Sequence, residues 1–413
     1  MPEHNAFFYA IFAIVVGFYL FDLVAVLLNR AHADGDLPEE FNDTFDAGEY
    51  SKNIAYSKEG SRFEIFQDTF GLILFIAFWL CGGFAWMCNW AEGFGHGPVV
   101  TGLIVFAFLT LAQTLIGIPF EIYDTFVIEE KYGFNKTTPK TFVLDHIKNL
   151  GLGALLGLPI IALLLWLFGR FDNAWMMAWA AVVIFMLIVQ FIAPKYIMPL
   201  YNKFEPLEDE ELKKDINAMA ERCEFPLTEI SVMDGSRRSA KSNAFFSGFG
   251  KNKKIALYDT LVESQTRDEL VAVLAHEIGH FRLRHIIKMM VVGFASIALM
   301  FFLLSLFLKN SDLSAAFGLE TPRVFMSFLF FGILFKPIGR ITSVISSVLS
   351  RKHEFEADAY AAEKTGNGGS LISALKKLSK KNLSNLTPHP LYVFLFHSHP
   401  PVLERVQALR KIG

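Results

Sequence analysis

Seven stretches of roughly 20 mostly apolar residues recur along the chain, each long enough for a helix to cross the hydrocarbon core of a bilayer. They run Ala6 to Leu28, Thr69 to Trp90, Val99 to Phe120, Leu150 to Phe168, Trp175 to Ile197, Ile286 to Leu308 and Val324 to Leu349. The first lacks a basic start and a small-residue cleavage pattern, and it is too long for a signal peptide, so it reads as a retained helix. The pattern predicts an all-α polytopic membrane protein in four parts. Residues 1–197 carry five spans, 198–285 form a soluble segment, 286–349 carry two more spans, and 350–413 form a C-terminal segment.

Lys and Arg set the expected orientation. The segments 30–62 and 121–148 hold four each, 198–285 holds thirteen, and the tail from Arg351 holds ten. The intervening segments hold none, none, one (Arg170) and two (Lys309, Arg323). This alternation puts the N-terminus outside and both soluble pieces in the cytosol. The seventh span carries Lys336 and Arg340, flanking Pro337. Charges at that depth are costly against lipid, so both are expected to face a protein-lined interior.

Composition narrows the function. Hydrophobic residues make up 53% and charged residues 19% of the 413, against about 25% charged in soluble domains. A net charge of −3 with no long basic run argues against a nucleic-acid partner. Cys81, Cys88 and Cys223 have neither zinc-ribbon spacing nor the number for a disulfide framework.

The chemistry sits in the soluble pieces. Residues 264–285 read SQTRDELVAVLAHEIGHFRLRH. Thr266 and Glu269 form a capping box at a helix start. His276 and His280, four apart, share one helix face and can reach one zinc ion. Glu277, beside the first, can reach a water activated there without being a ligand itself. This is the mechanical content of an HExxH zinc-hydrolase motif. A catalytic zinc needs a third protein ligand and an open position. Gly and His would be required at 283 and 286 for one common solution, but Leu283 and Ile286 stand there. His285 points about 140° away from His280 on an ideal helix and reads as an interfacial side chain. The third ligand is therefore expected from SRKHEFEADAYAAEKTG, residues 350–366. There Glu354 and Asp358 are one turn apart on a helix expected to end at Gly366. One can bind the ion while the other accepts the free ring N–H of a ligand imidazole. His353 and Glu356 are rivals for the ligand role.

Together these residues resemble the type I CAAX prenyl endopeptidases, integral-membrane zinc metalloproteases. The resemblance spans nearly the whole chain. It includes FEIYDTFVIEEKYGFNKTTPKTF (120–142), IAPKYIMPLYNKFEPL (192–207), SNAFFSGFGKNKKIALYDTLV (242–262), AHEIGH (275–280), SRKHEFEADAYA (350–361) and PHPLYVFLFHSHPPVLERVQAL (388–409). It implies one Zn²⁺ per chain held by His276, His280 and Glu354, with Glu277 as general base and Asp358 behind a ligand His. It places Asn243 and Ala244 on the substrate-binding edge of a small sheet, and His399 and Arg405 near the active site. Those two could stabilise an oxyanion or hold the ligand carboxylates, and both roles stay open. The implied fold is seven helices around a large water-filled chamber, with a small α+β protease insert on the cytosolic side.

The expected function is hydrolysis of peptide bonds: removal of three residues after a prenylated Cys, or cleavage of hydrophobic membrane peptides. The expected partners are a peptide or protein substrate, prenylated or not, and the lipid bilayer. The chain ends Lys411-Ile412-Gly413, which is not itself a prenylation signal. The lack of a basic or KDEL-like retrieval tail favours a bacterial inner membrane, with the endoplasmic reticulum expected for a eukaryotic source. Two other classes compete: a membrane transporter, or a peptide-binding membrane chaperone, each with a structural zinc site.

Overall fold

The computed structural model of the chain describes residues 1–33, 36–247, 253–366 and 368–412. Its first helices are α1 (Ala6–His32), α2 (Ala47–Leu80), α3 (Gly83–Glu92), α4 (Pro98–Tyr123) and the short α5 (Glu130–Tyr132), then α6 (Pro139–Arg170) and α7 (Ala174–Ile192). Strand β1 (Phe204–Pro206), helix α8 (Glu210–Arg222), strands β2 (Leu227–Met233), β3 (Ala244–Ser247) and β4 (Lys253–Tyr258), and helices α9 (Asp259–Ser264) and α10 (Arg267–Arg282) build the insert. The chain returns to the membrane with α11 (His285–Phe307), α12 (Ser311–Ala315), α13 (Val324–Leu334) and α14 (Lys336–Thr365). It ends with α15 (Gly368–Lys381), α16 (Pro390–Phe396) and α17 (Val402–Arg410).

Among the described residues, six helices are long and apolar enough to cross a membrane, and the bent pair α13 and α14 passes the same test only when taken together as one span. Two spans differ from their expected form. The second was expected to run from Thr69 to Trp90, but α2 stops at Leu80 and a new helix starts at Gly83. Gly82 adopts φ 76°, a left-handed conformation that L side chains resist. A hydropathy window reads Cys81-Gly82-Gly83 as apolar and misses this turn. The span instead lies further upstream, in a 34-residue helix that begins at the Asp46/Glu49 capping box. The seventh span breaks at Phe335, where α13 and α14 meet at 57°, beside Pro337 at the start of α14. Proline has no N–H to give and clashes with a preceding carbonyl, so a helix kinks or restarts there.

The expected interior placement fits Arg340, which is half-buried, whereas Lys336 is exposed. Both line a cavity of about 560 Å³ with Asp22 and Asp68, between α1, α2 and α14. Arg340 Nη2 donates to Asp22 Oδ2 at 2.6 Å, an acidic partner in the first span that hydropathy alone did not single out. At the end holding the N-terminus, Phe8, Ile11, Trp79, Phe84, Met87, Phe317 and Phe330 form an aromatic core. There the Trp79 indole N–H donates to the Ala316 carbonyl at 2.8 Å.

The other end carries the insert and the C-terminal segment. Its sheet has the order β1-β2-β4-β3, with β2 and β4 parallel and both outer strands antiparallel. Leu212 and Ile216 of α8, Ile255 and Leu257 of β4, Leu270 and Leu274 of α10, Ala361 of α14 and Leu371 of α15 share one core. The insert and the C-terminal segment, distant in sequence, are therefore one packed unit. Lys376 ties it to the α1–α2 connection through Asp43 and Glu40 at 3.0 and 3.1 Å. The Asn29 side-chain oxygen of α1 accepts from the His389 N–H at 2.9 Å.

Candidate metal centre and substrate cleft

Helix α10 begins at the expected capping box: Thr266 accepts from the Glu269 N–H while the Glu269 carboxylate accepts from the Thr266 N–H. From that start, His276 and His280 fall on the face turned to α14. Helix α14 ends at Gly366, whose φ of 68° is a left-handed cap, and presents Glu354 and Asp358 to α10. Gly279 allows the two helices to approach. A Cβ there would meet the Tyr360 ring at 3.1 Å and the Ala357 Cα at 3.3 Å. The tight fit at Gly279 is a feature of the site that the motif alone did not reveal.

The structure brings together the three groups expected to hold a metal. His276 Nε2 and His280 Nε2 lie 3.1 Å apart. Glu354 Oε1 is 3.2 Å from His280 Nε2, and Oε2 is 3.5 Å from His276 Nε2. A tetrahedral zinc with ligands at 2.0–2.1 Å separates its ligand atoms by about 3.3 Å. The donor set fits such an ion, which these three side chains would hold. Neither His353 nor Glu356 joins this triad; both belong to a neighbouring group with His285.

Behind the triad sits a charged scaffold. Asp358 Oδ1 is 2.9 Å from His276 Nδ1. Arg405 donates to Asp358 from Nε at 2.8 Å and from Nη2 at 2.6 Å, and its Nη1 is 3.2 Å from Glu354 Oε2. Burial would raise the Asp358 carboxyl, but the hydrogen bonds from Arg405 and His276 outweigh it and hold it below the usual range. Burial would likewise lower His276, yet its bonds to Asp358 and Glu354 push it up to about 9. Glu277 lacks such donors, and burial raises its carboxyl, which suits a proton acceptor.

A cleft of about 390 Å³ opens over these groups, lined by Asn243, Ala244, Glu277, His399 and Arg405 among others. Strand β3 is an edge of the sheet, starting at Ala244 opposite Leu257. Asn243 precedes it, its carbonyl accepting from the Tyr258 N–H at 3.1 Å. Residues 248–252 of the same motif lie outside the described residues. His399 stands at the cleft mouth with its side chain 65% exposed and Nε2 3.4 Å from Glu354 Oε1. Its Nδ1 is 3.0 Å from Ser398 Oγ.

One expectation is overturned. His285 is not interfacial: it is 2% exposed, packed between His280 and the α14 helix. Its ideal-helix angle assumed that α10 continued. The helix ends at Arg282, and Arg284 takes φ 58° before α11 begins, which swings His285 back onto the site.

Two family models match the chain. One, described as the CAAX prenyl protease N-terminal domain with five membrane helices, matches residues 27–203. The other, Peptidase family M48, matches residues 206–413. The chain belongs to Peptidase family M48. A probable CAAX prenyl protease 1 from Schizosaccharomyces pombe is 39% identical over 88% of this chain and 80% of its own length. The CAAX prenyl protease 1 homolog of Homo sapiens is 34% identical over 91% of this chain and 88% of its own. The crystal structure of S. mikatae Ste24p superposes with a TM-score of 0.94 at 34% identity, covering 98% of this chain and all of that one. This M48 chain is therefore a multi-pass membrane metalloprotease, and the transporter and chaperone readings fall away.

Proposed function

We propose that this M48 chain is a zinc endopeptidase that cuts an extended, hydrophobic or prenylated peptide laid along strand β3. The observation that carries the reading is the convergence of His276, His280 and Glu354 beside Glu277 in a cleft walled by a sheet edge. An edge strand has free N–H and C=O groups, and an extended peptide pairs with them without regard to side chain. Asn243 and Ala244 would start that pairing.

His276, His280 and Glu354 would hold the zinc, which when bound polarises the scissile carbonyl and acidifies a water. Glu277 takes the proton of the attacking water and delivers it to the leaving amine nitrogen. His399, exposed at the mouth and within reach of Glu354, is placed to donate to the oxyanion. Arg405 donates two hydrogen bonds to Asp358 and pairs with Glu354, which supports a holding role for it over direct contact with substrate. The names of the relatives support a CAAX-type substrate. The Lys and Arg distribution supports an N-terminus outside and a protease body in the cytosol.

The test is cleavage of one peptide in prenylated and unprenylated form by the purified chain, mapped by mass spectrometry, with metal analysis and a chelator arm. Cleavage three residues from the C-terminus, faster on the prenylated form and abolished by chelator, is expected. Equal rates on both forms would replace the CAAX reading with general cleavage of hydrophobic peptides. A metal other than zinc in the active protein would overturn the zinc assignment.

A further inference from the structure

The two imidazoles of the metal centre are backed differently. His276 turns Nδ1 directly to a carboxylate, Asp358, at 2.9 Å. His280 turns Nδ1 to a third imidazole, with His285 Nδ1 at 3.1 Å. His285 in turn has Nε2 2.9 Å from Glu356 Oε2. Beneath them lies His353, its ring stacked on that of His285 at 4.0 Å and 9°. His353 is 6% exposed, and its Nδ1 has no hydrogen-bond partner among the described residues. The proposed reaction uses none of His285, His353 or Glu356.

Two physical uses compete for this cluster. The ligand atoms of His285, His353 and Glu356 lie within 4.8 Å of one another, as a second metal ion would require. An imidazole binds an ion through a nitrogen lone pair, which lies in the plane of the ring. The planes of His285 and His353 are nearly parallel and separated by about the stacking distance, so no one point lies in both. The nitrogens of His285 are also both engaged, Nδ1 by His280 and Nε2 by Glu356. A shared ion would have to break both contacts and unstack the rings.

The hydrogen-bond alternative closes without a conflict. His280 directs Nε2 at the ligand triad, so its proton belongs on Nδ1. That N–H donates to His285 Nδ1. A neutral His285 then carries its own proton on Nε2 and donates to the Glu356 carboxylate. His285 thereby gives one bond and accepts one, as a neutral imidazole can.

We propose that His285 and Glu356 are positioning residues for the metal centre. His285 accepts from His280 and is anchored by Glu356, fixing the His280 ring and tautomer as Asp358 does for His276. His353 covers the face of His285 and keeps its ring from turning. This rests on the reading of His276, His280 and Glu354 as the ligand set and adds a function for three residues outside it. Such outer partners typically change metal affinity by about 10–100-fold.

The experiment measures zinc affinity of the full-length purified chain by competition with a chromophoric chelator. The visible spectrum of the Co²⁺-substituted chain and the thermal unfolding of the metal-stripped chain are recorded in parallel. His285→Leu is expected to lose about 10–100-fold in zinc affinity and to shift the Co²⁺ bands. His285→Asn, whose Oδ1 can take the place of Nδ1 as acceptor, is expected to stay within about 3-fold of the parent. Glu356→Gln should fall between, because its amide oxygen still accepts but carries no charge. Unchanged affinity and spectrum in His285→Leu overturn the proposal. So does an equal loss in the Leu and Asn variants that follows their unfolding temperatures, which would make His285 a packing residue. Two ions per parent chain, falling to one in His353→Leu, would establish a second metal site in its place. His276→Ala, run beside them, separates the two levels. Its loss of zinc without any loss in His285→Leu defeats the positioning role alone, and unchanged zinc in His276→Ala defeats the ligand set and the positioning role together.

Discussion

Arg405 and Asp358 form a buried, two-bond ion pair directly behind His276, with donor–acceptor distances of 2.8 and 2.6 Å. The pair joins the last helix of the chain to the helix that supplies Glu354. It fixes the carboxylate on which the first imidazole leans. Removing Arg405 would break a buried two-bond ion pair and leave Asp358 only the His276 ring as partner, which costs about 3–5 kcal/mol. Arg405→Leu is therefore expected to lower both the unfolding temperature and zinc content. Arg405→Lys should recover only part, because an ammonium cannot make the two parallel bonds. Full zinc content in Arg405→Leu, measured by elemental analysis, would contradict this.

Glu277 offers the cleanest separation of binding from chemistry. Glu277→Gln removes the proton acceptor and leaves His276, His280 and Glu354 in place. Metal content should match the parent, while peptide hydrolysis should fall by about 10²–10⁴-fold. Normal turnover by this variant would require another base.

Gly279 tests the helix approach. An added Cβ would press on the Tyr360 ring and on the Ala357 backbone, and a backbone cannot yield as a flexible side chain can. Gly279→Val should cost about 1–3 kcal/mol by overpacking and push Glu354 away from the two imidazoles. Metal affinity should drop together with stability. Parent-like affinity would show that α10 and α14 have slack at this point.

Stability at low pH depends on the start of α10. Burial opposes charge on Glu269, but bonds from Lys377, Ser373 and the Thr266 N–H outweigh it and hold its carboxyl below the usual range. A depressed acid contributes stability that is complete above its unfolded value and is lost as pH falls through its folded one. Unfolding midpoints of the parent should therefore decline below about pH 4.5 more steeply than those of Glu269→Gln. That variant should itself be about 1 kcal/mol less stable at neutral pH, from the weakened cap. Parallel pH curves would rule out a contribution from Glu269.

The Asp22–Arg340 pair predicts a charge-coupling effect inside the membrane bundle. Asp22→Asn leaves Arg340 facing the cavity without its partner and should cost about 1–3 kcal/mol. Adding Arg340→Met should restore most of that loss, since neither charge then remains. Additive losses in detergent unfolding assays would show that the two residues act independently.

Much of this protein is written in local pattern. Apolar runs longer than a bilayer is thick mark the spans, because lipid leaves backbone groups no partners except within a helix. The Thr266/Glu269 cap, the i,i+4 spacing of His276 and His280, and the left-handed stop at Gly366 depend on neighbours within a turn or two, and all three are present in the structure. Packing decided what lies beyond that range. The Gly82 turn and the break at Phe335 redistribute apolar residues that a hydropathy window cannot divide. Asp22 acquires meaning only when Arg340 meets it from 318 residues away in sequence. The burial of His285 against the site depended on where α10 stopped, since one left-handed residue at Arg284 reversed the direction expected from an unbroken helix. Local spacing left His353 and Glu356 as rivals of Glu354, which only the family resemblance preferred; the physical reason for that choice is which face of α14 meets α10 and how closely Gly279 lets them approach. Those are distances between separate elements, and only the folded chain sets them.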